Sequence, residues 1–139
     1  MAQKVREIMT SAPVAVGTRT AVSEVAHRMR DEDIGAVLVA EGDELRGLVT
    51  DRDLVVRVLA EDKNPADTTV QSACSPDLVT VTPDDEVRRA VQLMREHSLR
   101  RLPVVEGKHP VGIVALGDLA IARDPESALG DISAAAPNE

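Results

Sequence analysis

Two rhythms of apolar residues run along this chain. Val14-Ala15-Val16 alternates apolar positions and predicts a short strand. Val22, Val25, Ala26 and Met29 follow at i, i+3, i+4 and i+7, one stripe of an amphipathic helix with Thr20 as its N-cap. The unbroken run from Ile34 to Val39 predicts a buried strand, and Gly42-Asp43 a hairpin turn. Arg46 to Thr50 forms the next strand, and residues 51–60 the closing helix, with Leu54, Val55, Val58 and Leu59 apolar. Ahead of all this, Val5-Arg6-Glu7-Ile8-Met9 reads as a helical turn or two, ended by Pro13.

The same order returns. With a constant shift of 65 and no gap, residues 5–56 lie over 70–121, and thirteen of the pairs are identical, among them Val14/Val79, Met29/Met94, Gly42/Gly107, Gly47/Gly112, Asp53/Asp118 and Leu54/Leu119. Ordinary composition gives roughly three or four identities by chance. The second copy carries its helix stripe on Val87, Ala90, Val91 and Met94, with Asp85 as cap. A polar linker with Asn64-Pro65 separates the copies. The expected organisation is a first unit over 1–62, a second over 66–122, and a tail over 123–139. In the tail, Asp124-Pro125 suggests a cap and first turn, and Leu129 and Ile132 a short docking helix. A unit of about sixty residues buries only roughly 60% of its chain surface, so the two should pack face to face with pseudo-twofold symmetry.

The stretch Gly47-Leu48-Val49-Thr50-Asp51-Arg52-Asp53 carries the candidate chemistry. Thr50-x-x-Asp53 resembles a capping box with Asp in place of Glu. The hydroxyl caps early amides, and the carboxylate sits by the positive helix end. A strand feeding such a helix also leaves polar atoms and N–H groups at one mouth, where an anion could sit. Asp53 and Asp118 can equally be read as cap residues and nothing more.

Composition narrows the choice. The net charge of −8 argues against wrapping a nucleic-acid backbone. No apolar run approaches the roughly 18 residues of a membrane span, and the N-terminus has no signal-peptide core. The one cysteine, Cys74, makes no intramolecular disulfide, fits a small core residue, and makes a cytoplasmic setting the default. There is no Phe, Tyr or Trp, so a bound base would rest on aliphatic groups. His27, His97 and His109 are not equivalent across the repeats, and no zinc spacing, P-loop or nucleophile elbow is present, which argues against an enzyme.

A duplicated β-α-β-β-α unit with G-h-h-T-x-x-D entering its last helix resembles the cystathionine-β-synthase (CBS) domain. Two in tandem resemble the pair called a Bateman module. The likeness covers residues 5–122 and rests on Met9-Thr10-x-x-Pro13-Val14, Gly47 to Asp53, Leu99-Arg100-Arg101-Leu102-Pro103-Val104 and Gly112-Ile113-Val114. The chain looks like the small stand-alone bacterial members. The resemblance implies an α/β fold and a regulatory role: AMP, ADP or ATP bound in a cleft between the units, with no required cofactor or metal. By that analogy Asp53 holds the ribose, Thr50 the sugar or phosphate, Arg100 and Arg101 the phosphates, and Val14 and Ala36 complete the site. A weaker second site has Asp118 and Val79, but Ala115 where the threonine would be and no basic residue opposite. Arg100 and Arg101 could instead pair with carboxylates on a solvated face. The alternative function is a ligand-free interaction module. The apolar faces of the closing helices (Leu54, Val55, Val58; Leu119, Ile121) favour a homodimer read by an unknown downstream protein.

Overall fold

In the computed structural model, which describes residues 3–75, 78–123 and 127–135, the chain forms two compact units. The Asp53 unit comprises the described residues of 13–78 and 108–110; the Asp118 unit comprises those of 1–12, 79–107 and 111–139.

In the Asp53 unit, β2 (Ala15–Gly17) runs parallel to β3 (Ala36–Glu41), which pairs antiparallel with β4 (Glu44–Thr50). Gly42, at φ +62°, leads the two-residue turn, where only glycine is unstrained. Helix α1 (Val22–Glu32) buries Val22, Val25 and Met29 and ends at Asp33, whose left-handed backbone returns its N–H to the Met29 carbonyl. Ala26 is exposed. The helix starts one residue later than expected: Ala21 is its N-cap, and no side chain caps it. The closing helix is not uniform. It opens as α2 (Asp51–Leu54) and continues as a π-helical turn, Val55–Leu59, in which Ala60 N–H reaches back five residues to the Val55 carbonyl at 2.8 Å.

In the Asp118 unit, β5 (Arg101–Glu106) and β6 (His109–Ala115) form the hairpin, and β1 (Thr10–Ser11) pairs antiparallel with β6. Helix α4 (Val87–His97) buries Val87, Ala90, Leu93 and Met94 and ends at Ser98, the positional twin of Asp33. Glu86 is its N-cap; the Asp85 carboxylate instead accepts the Thr82 N–H at 2.8 Å. The strand expected around Val79–Val81 shrinks to a single bridge, Val81 with Val104. The cause is Pro103. In the first copy Leu38, at the matching position, donates its N–H to the Val14 carbonyl at 2.9 Å. Proline has no N–H to give, so that rung is missing from the ladder.

The units do not follow the repeat boundary. Val5, from the first lead-in, is fully buried in the Asp118 core with Val81, Leu102, Val104 and Val114. Val5 N–H bonds to the Asp85 carbonyl at 2.9 Å, and Val87 N–H to that of Gln3 at 2.9 Å. Val70, in α3 (Val70–Ala73), is fully buried in the Asp53 core with Val25, Val37, Val39 and Val49. Val70 N–H bonds to the Thr20 carbonyl at 2.8 Å, and Val22 N–H to that of Thr68 at 2.9 Å. A shift of 65 superposes the two sets of bonds. Each lead-in therefore packs in the unit built on the other repeat.

The closing helices match expectation in part: Val55 and Ile121 are exposed as expected, the other three residues are not. Leu54, Val58 and Leu119 face the cores, while Val55 (54% exposed), Val56 and Leu59 (58%) face outward, with Leu116 and Ile121. In the tail, Ser127 caps α6 (Ala128–Ala134), its hydroxyl accepting Gly130 N–H at 3.0 Å. The expected cap at Asp124-Pro125 lies outside the described residues. Leu129 and Ile132 are exposed, and α6 instead meets α5 (Leu116–Arg123) through Ser133, close enough that a Cβ on Gly117 would lie 2.8 Å from its hydroxyl.

Candidate functional site

Each closing turn carries a carboxylate at the mouth of its last strand. In the Asp53 unit the capping box closes in both directions: Thr50 N–H donates to Asp53 Oδ2 at 2.9 Å, and Asp53 N–H donates to Thr50 Oγ1 at 3.2 Å. Asp53 keeps 13% side-chain exposure, and its Oδ1 faces Arg57 Nε at 3.4 Å. Ala36 is the register partner of Thr50, and Gly35 accepts Asp51 N–H at 3.0 Å. Val14 joins through its bond to Leu38. The fold thus gathers Val14, Ala36, Thr50 and Asp53 at one end of one sheet.

Cys74 lies beside this end. Its thiol is pushed up to about 11, chiefly by burial and then by the Asp53 charge, with Arg57 opposing. Such a thiol stays protonated at neutral pH and donates to the Val70 carbonyl at 3.3 Å. Gly47 packs closely here: a Cβ would sit 3.1 Å from the sulfur, tight enough that Cys74 would have to shift.

The Asp118 turn keeps half of the box. Asp118 Oδ2 accepts Ala115 N–H at 2.8 Å, but Ala115 has no hydroxyl to return the bond. Burial raises the Asp118 carboxyl above the ordinary aspartate range, against the pull of that N–H. Arg100 and Arg101 lie in this unit, where the Arg100 carbonyl accepts Leu116 N–H at 2.8 Å. Neither arginine forms an ion pair among the described residues. Val79 is half-buried against the Asp118 core. An open apolar groove of about 480 Å³ runs beside the turn, lined by Val91, Met94, Leu99, Leu116, Leu119 and Leu129.

His27, His97 and His109 are all exposed, and among the described residues no three His, Cys, Asp or Glu side chains gather as a metal site. Among the described residues, no helix is long and apolar enough to cross a membrane. Sequence reasoning missed Arg57, although its i, i+4 spacing from Asp53 was a readable signal.

The sequence model of the CBS domain matches residues 5–60 and 70–124. The chain is 38% identical over 117 residues to the CBS domain-containing protein YhcV of Bacillus subtilis (strain 168), spanning 84% of this chain and 83% of that one. Among solved structures, Hypoxic Response Protein I, determined with two coordinated zinc ions, superposes with a TM-score of 0.78 at 32% identity, covering 85% of this chain and 97% of that one. Hypoxic response protein 1 of Mycobacterium tuberculosis is 33% identical over 116 residues, 83% of this chain and 81% of that one. A hexameric CBS-CP12 protein from bloom-forming cyanobacteria superposes at a TM-score of 0.79 and 27% identity, over 90% of this chain and 74% of that one. With the duplicated turn, the two sheets and these matches together, the chain belongs to the CBS-domain family and carries two copies of the domain.

Proposed function

We propose that the protein is a non-catalytic regulator that binds an adenosine-containing ligand, AMP, ADP or ATP, through the Asp53 turn. The observation that carries this reading is the completed Thr50–Asp53 box. It holds a partly exposed carboxylate at a helix start, beside the strand ends of Val14 and Ala36. A carboxylate so held accepts from the paired hydroxyls of a ribose, and Thr50 lies within reach of the same sugar or its phosphate. In the Asp118 unit, Arg100 and Arg101, free of ion pairs among the described residues, are the proposed phosphate-binding side chains of the protein, since a guanidinium fork suits phosphate oxygens. The Asp118 turn, lacking the hydroxyl, is the weaker site. The partners are then the nucleotide and a downstream protein that reads the bound state in the cytoplasm.

The chain has no Phe, Tyr or Trp, so the purified protein absorbs almost nothing from 250 to 290 nm. A 260 nm band released by acid identifies a carried nucleotide. Calorimetry with AMP and ATP is expected to show binding that Asp53→Ala abolishes and Asp118→Ala barely changes. Equal losses in both variants, or no binding by the wild type, would sink the proposal.

A second reading has its own support. Val55, Val56 and Leu59 are neighbouring exposed apolar residues on the closing helix, and a second copy of the chain is the proposed cover. Light scattering on Leu59→Glu tests it: the variant should be monomeric where the wild type is a homodimer.

A further inference from the structure

Asp53 has two carboxylate oxygens, and both are engaged. Oδ2 takes the Thr50 N–H at 2.9 Å, and Oδ1 faces Arg57 Nε at 3.4 Å. The first contact belongs to the helix start and cannot be given up without undoing the cap. The second is an i, i+4 pair whose arginine is 43% exposed, so its guanidinium can swing into water at little cost.

The other repeat lacks this arrangement. Ala122 stands where a shift of 65 places Arg57, and α5 runs as an ordinary α-helix. Among the described residues Asp118 forms no ion pair. The π-helical turn that carries Arg57, Val55–Leu59, is likewise found in the first copy alone among the described residues, and such turns concentrate at functional sites. Arginine, π-turn and complete capping box thus coincide on one carboxylate.

We propose that Arg57 is a latch on Asp53: it pairs with the carboxylate oxygen that the helix cap leaves over, and a ribose competes with it for that oxygen. The inference rests on the adenosine-binding reading above. Ribose hydroxyls are neutral donors, so binding exchanges a charged partner of Oδ1 for an uncharged one. The latch therefore lowers affinity, and it does so most at low ionic strength, where the ion pair is least screened. For a ligand without phosphate the salt response runs opposite to the usual one: added salt loosens the latch and tightens binding.

The test uses the full chain and adenosine, which is uncharged, in calorimetric titrations from about 0.02 M to about 0.5 M salt. Arg57→Ala should bind adenosine about two- to fivefold more tightly than wild type at low salt, the range expected for a partly screened pair. Wild type should gain a similar factor as salt rises, Arg57→Ala should stay flat, and Arg57→Lys should restore the salt response. Equal or weaker binding by Arg57→Ala, or the same salt response in both proteins, overturns the latch and leaves the ligand reading standing. Failure of both proteins to bind adenosine overturns the latch, and failure to bind AMP and ATP as well overturns the ligand reading with it. A thermal double-mutant cycle of Asp53→Asn and Arg57→Ala, run without ligand, adds an independent check: additive effects would show no pairing and overturn the latch on their own.

Discussion

Substituting Ala115 by threonine should complete the half-made box of the second repeat and stabilise the protein. One of the two bonds exists already, Ala115 N–H to Asp118 Oδ2 at 2.8 Å. The missing one is the counterpart of Asp53 N–H to Thr50 Oγ1 at 3.2 Å. Ala115 ends β6 and Leu116 opens α5, so a hydroxyl here meets a helix start that has lost its cap acceptor. Exchanging Thr for Ala at an N-cap costs about 0.5–2 kcal/mol, and the reverse exchange should return about 0.5–1 kcal/mol in a turn not shaped around the extra atoms. An unfolding entropy of about 2.1 cal/mol/K per residue gives roughly 0.3 kcal/mol/K for a chain of this length, so Tm should rise by about 2–3 °C. Thr50→Ala should lower Tm by about 3 °C, and Thr50→Ser should leave it nearly unchanged. Without aromatic side chains there is no intrinsic fluorescence to follow, so calorimetry or far-UV circular dichroism reads the transition. Ala115→Val is the control, with the same branching and no hydroxyl. If valine raises Tm as much as threonine, or threonine lowers it, the hydrogen-bond reasoning is wrong.

Three further expectations follow from the packing and the charges. Val5→Ala and Val70→Ala each empty a fully buried position in an exchanged lead-in, and each should cost about 2–3 kcal/mol in denaturant titrations; a near-neutral result for either would deny that its lead-in is part of a core. Gly112→Ala should destabilise more than Gly117→Ala, since its Cβ would meet the Thr10 backbone carbonyl at 2.9 Å, while at Gly117 the obstacle is the Ser133 side chain, which can turn; thermal melts rank the two. Burial raises the folded Asp118 carboxyl, so the stabilisation linked to its proton is complete below the unfolded value and lost as pH rises through the folded one. Asp118→Asn, which keeps an acceptor for Ala115 N–H, should flatten stability across that window just above the ordinary aspartate range, and an unchanged pH profile would contradict it.

What could be read from the sequence was local. The helix stripes, the Gly42 and Gly107 turns and the Thr50–Asp53 box each depend on residues a few positions apart, where period and spacing carry the information. The exchange of lead-ins was not readable, because Val5 and Val70 are equivalent apolar residues and either core would accept either one. Pro103 could have announced the lost rung opposite Val79, but only once the strand order was known. Val55 lies outward as the sequence suggested, but its companions there are Val56 and Leu59, not Leu54 and Val58, along a segment that winds as a π-helical turn and departs from the 3.6 period. Of the two residues expected to dock the final helix, Leu129 borders the groove beside α5 while Ile132 is 72% exposed; the closest approach is instead made by Ser133 at Gly117, and a hydrophobicity pattern is blind to such small residues.

The differences between the two copies share a direction. At the Asp118 turn, Ala115, Leu116 and Gly117 replace Thr50, Asp51 and Arg52, so every polar side chain before the carboxylate has become apolar or absent. The close approach of Ser133 then needs the glycine: an arginine there, as at position 52, would collide with α6. The second turn has traded polar atoms for packing. The first keeps its hydroxyl, both charges and a carboxylate held by cap and arginine together. Stability alone gives no reason for a partly exposed Asp53 with two partners when Asp118 forms its helix start with one. The excess chemistry at the first turn is what a ligand-holding role for Asp53 requires, and it makes Asp53→Asn more informative than Asp53→Ala. The amide still accepts the Thr50 N–H and so preserves the fold, while it loses the charge that Arg57 and a ribose would compete for.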